Sequence, residues 1–271
     1  FVEVGTITPL KQYGNPKPRV FRLVEDEALI NRLGFNNYGA KNIANRIKSN
    51  RQSGLLGVNI GPNKDTIDQT KDYLDCLKTF HNLGDYITIN ISSPNTEGLR
   101  NFHEKENLEK LLIKINEIRK ESNFEKSFLL KISPDLDESY INNIVDLSLK
   151  NNINGIILTN TSDKNRDKLI DNQKNEKGGL SGQPIKDLST KIIKKFYKKL
   201  DRKIPIIGVG GVDSGEAAFE KIAAGASAIQ LYTGMIYKGP MIVKQIKKGL
   251  IIKLNEKGFK NISEAIGSNS N

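Results

Sequence analysis

Asparagine, threonine and lysine recur just past short apolar runs, where an apolar core does not account for them. Thr6 ends VEVGT, Asn59 follows Val58, and Asn90, Ser92, Ser93 and Asn95 follow Ile89. Lys131 stands inside FLLKISPD, and Thr159, Asn160 and Thr161 close GIILTNT. Each has a structural explanation on its own, since Asn and Thr cap helices and a strand-end lysine can reach water. Recurrence in five successive units points instead to one shared site. With Asn31 the set is rich in amides, which offer donors and acceptors side by side. Such a lining suits a flat heterocycle with imide edges, such as a pyrimidine or a flavin ring. It does not suit a divalent metal, which would want carboxylates. The nearby acids Asp135 and Glu97 are expected to cap or pair at the surface. No carboxylate is evident beside Lys131, which counts against aldolase or isomerase chemistry on this lysine.

Two further segments have the character of a phosphate site. GVGGVDSGEAA places Gly210 and Gly211 at a strand end, with a helix starting near Ser214. LYTGMIYKGP places Tyr232, Thr233 and Gly234 at the next. Glycines let a phosphate approach main-chain N–H groups, and helix N-termini favour anions. The competing explanation is that these glycines only make tight turns. No Walker A pattern is present. Cys76, beside Leu74 and Leu77, reads as a packed thiol.

The elements that would carry these residues alternate along the chain. Apolar runs occur at Phe1–Thr8, Leu55–Ile60, Tyr86–Ile91, Phe128–Ile132, Gly155–Thr159, Ile204–Val209 and Ala228–Tyr232. Amphipathic stretches lie between them. Ile67, Leu74, Leu77 and Phe80 make one stripe, Leu108, Leu111, Leu112, Ile115 and Ile118 another, and Leu188, Ile192, Ile193 and Phe196 a third. Strand–helix alternation of this kind predicts an α/β fold with parallel strands. The expected architecture is a (β/α)8 TIM barrel lacking its first βα unit, with seven strands and one domain over residues 1–271. A doubly wound sheet would put a glycine fingerprint after the first strand, where GTITPLKQYGNP does not fit. In a barrel, phosphate commonly sits after the last two strands and the chemistry lies on loops at strand carboxyl ends. Two such loops, Pro9–Phe35 and Ser162–Gln183, are unusually long.

The composition of the 271 residues agrees: 37% hydrophobic and 27% charged is enough apolar material for a full core. One cysteine and two histidines leave too little for a disulfide scaffold or a histidine-ligated metal. No apolar stretch approaches about 18 residues. The opening FVEVGTITPL carries no signal-peptide pattern. The net charge is +11. Lysines scattered along helical polar faces account for it, and no nucleic-acid-binding signature accompanies them.

Taken in order, GTITP, GNPKPRVFRLVEDEALINRLGFNN, GVNIGPNK, YITINISSPNTEGLR, LLKISPDL, IILTNT, GGLSGQPIKDLST, PIIGVGGVDSGEAA and LYTGMIYKGP resemble class 2 dihydroorotate dehydrogenases, the quinone-dependent branch. The resemblance covers almost the whole chain. It implies an FMN-bearing barrel that oxidises dihydroorotate to orotate in pyrimidine (UMP) synthesis and passes electrons to a quinone.

Residue by residue, the resemblance implies that Thr6, Asn59, Asn90, Lys131, Thr159, Gly182, Gly211, Tyr232 and Thr233 contact FMN, with Gly210 supporting its phosphate loop. Asn31, Arg32, Leu33, Gly34 and Phe35, with Asn90, Asn95, Asn160 and Thr161, would hold the pyrimidine and its carboxylate. Ser93 would be the base that takes the C5 proton while the C6 hydride goes to the flavin. Class 1 enzymes carry cysteine there, so ISSPN marks class 2. Lys131 would stabilise negative charge at the flavin N1 and O2 edge. PKPRVFR would face the quinone, with Arg22 and Tyr232 at its polar end, and the protein would be membrane-associated.

Two departures accompany the resemblance. The family's first strand, with its Ala-Ala-Gly-Phe-Asp-Lys type of segment, has no counterpart here, and neither has its amino-terminal helical pair. The alternatives are a piece of a longer enzyme, or a truncated or degenerate barrel with weak or no FMN binding and no catalysis.

Overall fold

The computed structural model describes residues 1–50, 53–96, 98–121, 125–164 and 166–270. In chain order its elements are β1 (Val2–Ile7), β2 (Val20–Leu23), β3 (Ala28–Asn31), α1 (Ala40–Asn50), β4 (Leu56–Ile60), α2 (Gln69–Phe80), β5 (Tyr86–Asn90), α3 (Lys105–Glu121), β6 (Ser127–Ile132) and α4 (Glu138–Lys150). They continue with β7 (Gly155–Leu158), β8 (Gly179–Gly182), α5 (Lys186–Leu200), β9 (Ile206–Gly208), α6 (Gly215–Ala223), β10 (Ala228–Ile229), α7 (Thr233–Lys238), α8 (Ile242–Glu256) and α9 (Ile262–Ala265).

The seven expected strands form one sheet in the order β1-β4-β5-β6-β7-β9-β10, and every neighbouring pair is parallel. The sheet curls until its ends face each other. Gln230, just past β10, donates a 3.1 Å hydrogen bond to Glu3 on β1. Side chains alternate between the faces of a strand. Val58, Ile60, Ile87, Ile89, Leu130, Ile132, Ile156 and Leu158 point outward and are buried with Leu77 and Phe80 of α2, Leu111 and Ile115 of α3, Ile144 of α4 and Phe196 of α5. Full burial of each such side chain contributes roughly 1.5–3 kcal/mol relative to exposure. The alternate residues Glu3, Asn59, Thr88, Asn90 and Lys131 face inward.

Helix starts follow local chemistry. Asp68 caps α2 by accepting from Lys71 N at 3.0 Å, and Ser214 caps α6 by accepting from Ala217 N at 3.2 Å. The cap on Asp68 moves the start of α2 past Ile67, which is fully exposed and no part of the expected stripe. The last strand is shorter than its apolar run, because Tyr232 serves as N-cap of α7.

The two long segments are not mere loops. They contribute β2, β3 and β8, a second sheet in the order β2-β3-β8 with both pairings antiparallel. Phe21, Leu23, Ala28, Ile30, Leu169, Leu180 and Ile185 form its own small core. Strands of four residues, bordered by Pro, Gly and charges, are too short for their alternation to stand out in sequence.

Candidate functional site

The expected strand-end residues converge on the concave face. Asn59 and Asn90 are buried, and their amides take part in one continuous chain of hydrogen bonds. Asn160 Nδ2 donates to Ser92 Oγ at 2.9 Å, and Ser92 Oγ donates to Asn90 Oδ1 at 3.0 Å. Asn90 Nδ2 donates to Thr6 Oγ1 at 2.8 Å, and Thr6 Oγ1 donates to Asn59 Oδ1 at 2.8 Å. Asn59 Nδ2 then donates to Glu3 Oε1 at 2.9 Å. At the far end Asn160 Oδ1 accepts from Thr161 N at 2.8 Å. Residues of β1, β4 and β5 and the turns after β5 and β7 thus share one network.

Glu3 is the residue that sequence reasoning missed. It is the partner whose absence beside Lys131 was expected: Lys131 Nζ lies 3.6 Å from Glu3 Oε1. Glu3 also accepts from Thr88 Oγ1 at 2.8 Å and from the Tyr86 hydroxyl at 3.2 Å. Burial alone would push its carboxyl up. The Lys131 charge and the hydrogen bonds from Asn59, Thr88 and Gln230 outweigh burial and hold it below the ordinary carboxylate range. Tyr86 is driven the other way, by burial and then by the Glu3 charge, and stays a neutral donor. The available signal was one carboxylate inside FVEVGT, a run otherwise apolar or small. Its partners are 56 to 227 residues away, so spacing could not reveal them.

Ser93 is nearly buried, and its Oγ accepts from Asn95 N at 3.2 Å. Asn95 Nδ2 in turn donates to the Asn31 carbonyl at 3.0 Å, tying the Ser93 turn to β3. Phe35, with a left-handed φ of 52°, packs against the main core and within reach of Gly61. Thr161 stands against Gly179, where no side chain would fit. Gly34 makes a turn, with a φ of 70°, against Asn15. Leu33 pairs its carbonyl with Asn15 N. The Arg32 side chain leaves this group: it pairs with Glu176 at 2.7 Å and stacks on Phe21.

Asp135 is not the surface acid expected. Its side chain is 2% exposed and accepts from Ser162 Oγ at 2.6 Å and Asp163 N at 3.0 Å. Arg100 bridges it to Asp163, with contacts of 3.2 and 3.0 Å. The turns after β5, β6 and β7 are thereby clamped together. Glu97 lies outside the described residues.

On the opposite rim, Gly182, Gly210 and Gly211 have φ of 99°, 120° and 66°, conformations that L side chains rarely adopt. A Cβ on Gly211 would come within 2.5 Å of the Lys186 Cβ. Thr233 is buried and its Oγ1 bonds Ser181 Oγ at 2.9 Å, whereas Tyr232 is largely exposed. α6 begins at Gly215, just past Gly211. Main-chain N–H groups at such a rim are available to an anion.

These residues fit a bound flavin nucleotide. Thr159 Oγ1 is buried without a hydrogen-bond partner among the described residues. Buried polar groups normally have partners, so it points to a missing one. Amides, a lysine and a glycine-lined rim supply what a ring edge and a phosphate require. A cavity of about 820 Å³ runs along β1 and α1 between Val4, Gly5, Ile43 and Ile47; of these strand-end and rim residues it touches Thr6 alone, so it lies beside the site and is not the site itself.

Comparison with known proteins agrees with the geometry. Residues 1–254 match the family model described as dihydroorotate dehydrogenase. Dihydroorotate dehydrogenase (quinone) of Idiomarina loihiensis is 48% identical over 252 residues, covering 91% of this chain and 75% of that protein. The mitochondrial dihydroorotate dehydrogenase (quinone) of Mus musculus is 43% identical over 277 residues, covering 98% and 70%. A crystal structure of DHODH from Eimeria tenella in complex with ferulenol superposes with a TM-score of 0.94 at 37% identity, covering 99% of this chain and 79% of that one. With the strand tips hydrogen-bonded around a common face and likeness of this extent, the barrel is not degenerate, and the chain belongs to the dihydroorotate dehydrogenase family.

Proposed function

We propose that this protein oxidises dihydroorotate to orotate in pyrimidine (UMP) biosynthesis, using FMN and a quinone acceptor. The observation that carries the reading is the polar concave face: a chain of amides and hydroxyls where an ordinary barrel interior holds branched apolar side chains. FMN, when bound, supplies the acceptor for the two electrons that leave the substrate. Thr6, Asn59, Asn90, Lys131 and Thr159 would hold its ring. Gly182, Gly210, Gly211 and Thr233 would hold its phosphate, with Tyr232 at the outer margin.

The pyrimidine would lie among Asn31, Asn90, Asn95, Asn160 and Thr161, with the 32–35 turn closing over it. There Phe35 excludes water and the amides pair with imide edges. Ser93 takes the C5 proton. A hydroxyl is a weak base, so the proton would pass from Ser93 to a water molecule positioned by the neighbouring Asn and Thr groups and leave to solvent. Arg22 and Tyr232 would stand at the quinone's polar end. The reading includes one catalytic unit over residues 1–271 and peripheral membrane contact. Among the described residues no helix is long and apolar enough to cross a membrane.

The test is spectroscopic. Purified protein supplied with FMN should hold it through gel filtration, and anaerobic dihydroorotate should bleach its visible band. A chain that retains FMN yet is not bleached would overturn the activity.

A further inference from the structure

The hydrogen-bond chain runs in one direction only. From Thr161 N through Asn160, Ser92, Asn90, Thr6 and Asn59, each group donates toward Glu3. An ionised carboxylate accepts and cannot donate. Asn59 must therefore turn its NH2 to Glu3 and its oxygen to Thr6. That leaves Thr6 to accept from the Asn90 NH2, and the Asn90 oxygen to accept from Ser92. The sense of every amide follows from the last acceptor. Glu3, on one end strand, also receives Thr88 and Tyr86 from β5 and Gln230 from beyond the other end strand. Gly57 leaves the space that the Tyr86 ring occupies, since a Cβ there would lie 2.1 Å from it.

Glu3 and Lys131 are a partly buried pair of opposite charges, with side chains 10% and 19% exposed. A lysine beside a flavin favours whichever redox state carries more negative charge. A carboxylate 3.6 Å from that lysine offsets part of its field.

We infer that Glu3 is a positioning residue of this site: it orders Asn59, Thr6 and Asn90 as their terminal acceptor and, as the counter-charge of Lys131, limits how far that lysine favours reduced over oxidised FMN. The inference rests on the FMN reading above. Glu3 acts through the groups it contacts, Lys131 and Asn59. Glu3→Gln keeps the shape, removes the charge and turns an acceptor into a partial donor facing four other donors.

The experiment measures dissociation constants of oxidised FMN and of dithionite-reduced FMN, under anaerobic conditions, for the full chain, Glu3→Gln, Lys131→Met and the double variant. Glu3→Gln should raise the preference for reduced over oxidised FMN at least tenfold, equivalent to a positive shift of about 30 mV for a two-electron couple. The same substitution in the Lys131→Met background should change the preference less than threefold, the signature of a coupled pair. Glu3→Asp, which keeps the charge, should hold the preference near the parent value while weakening oxidised FMN binding severalfold. It also decides the matter if Glu3→Gln does not fold: an Asp variant that shifts the preference tenfold would overturn the inference. So would an unchanged preference in Glu3→Gln, or an equal shift with and without Lys131. If the parent chain binds FMN in neither state, the FMN reading falls and takes the inference with it. If it binds FMN and the preference does not move, the inference falls alone.

Discussion

The Tyr73 hydroxyl, on a ring with no exposed surface, donates to the Asn90 carbonyl at 2.6 Å. A helix residue behind the sheet thus holds the main chain at the point where β5 turns into the Asn90–Asn95 segment. Burial keeps this phenol protonated far beyond neutral pH. Tyr73→Phe removes the donor and leaves the ring packing in place. The expected cost is about 1–2 kcal/mol, read as a lower urea midpoint at unchanged slope. An unchanged midpoint would remove this bond from the account of how β5 is held.

Ser93→Ala tests the proposed base. Among the described residues the hydroxyl takes one main-chain bond, from Asn95, so its loss should leave the fold and FMN affinity close to the parent. Flavin bleaching by dihydroorotate, followed by stopped flow, should slow by about 10²–10⁴-fold. Slowing of less than threefold would take the proton transfer away from Ser93.

Lys221 predicts a pH dependence of stability. Its side chain is fully buried between α5 and α6, where Nζ donates to the Lys186 carbonyl at 3.2 Å and to Thr190 Oγ1 at 3.0 Å. Burial lowers the amine from 10.5 to about 7. Between those values the unfolded chain binds the extra proton and the folded chain does not, so stability rises with pH. The contribution is complete above 10.5 and is lost as pH falls through 7. From pH 7 to 9 the gain should be about 2–3 kcal/mol, at roughly 1.4 kcal/mol per unit. Lys221→Met should flatten that rise in thermal or urea unfolding. An equal rise in the variant would assign it to other groups.

The seven parallel strands and their outward stripes were legible because β-branched runs and helical periods carry their own signal. The convergence of Asn59, Asn90, Lys131, Thr159 and Asn160 was legible for a similar reason: polar residues at strand ends stand out against an apolar core. Glu3 was not, because one acid in an apolar strand gives no hint of the lysine 128 positions later. Lys221 was hidden among the many lysines, since burial between two helices leaves no mark on composition. Asp135 looked like a surface acid because its partners come from two other turns. The second sheet escaped because four-residue strands carry too little alternation, and because pairing between β3 and β8 is a property of the folded chain.

That second sheet fastens Asn31 opposite Gly179, residues 148 apart, where Thr161 stands against Gly179. A guest seated there would stitch the opening third of the polypeptide to its middle. Its residence time and the opening rate of those few rungs then become two views of one event.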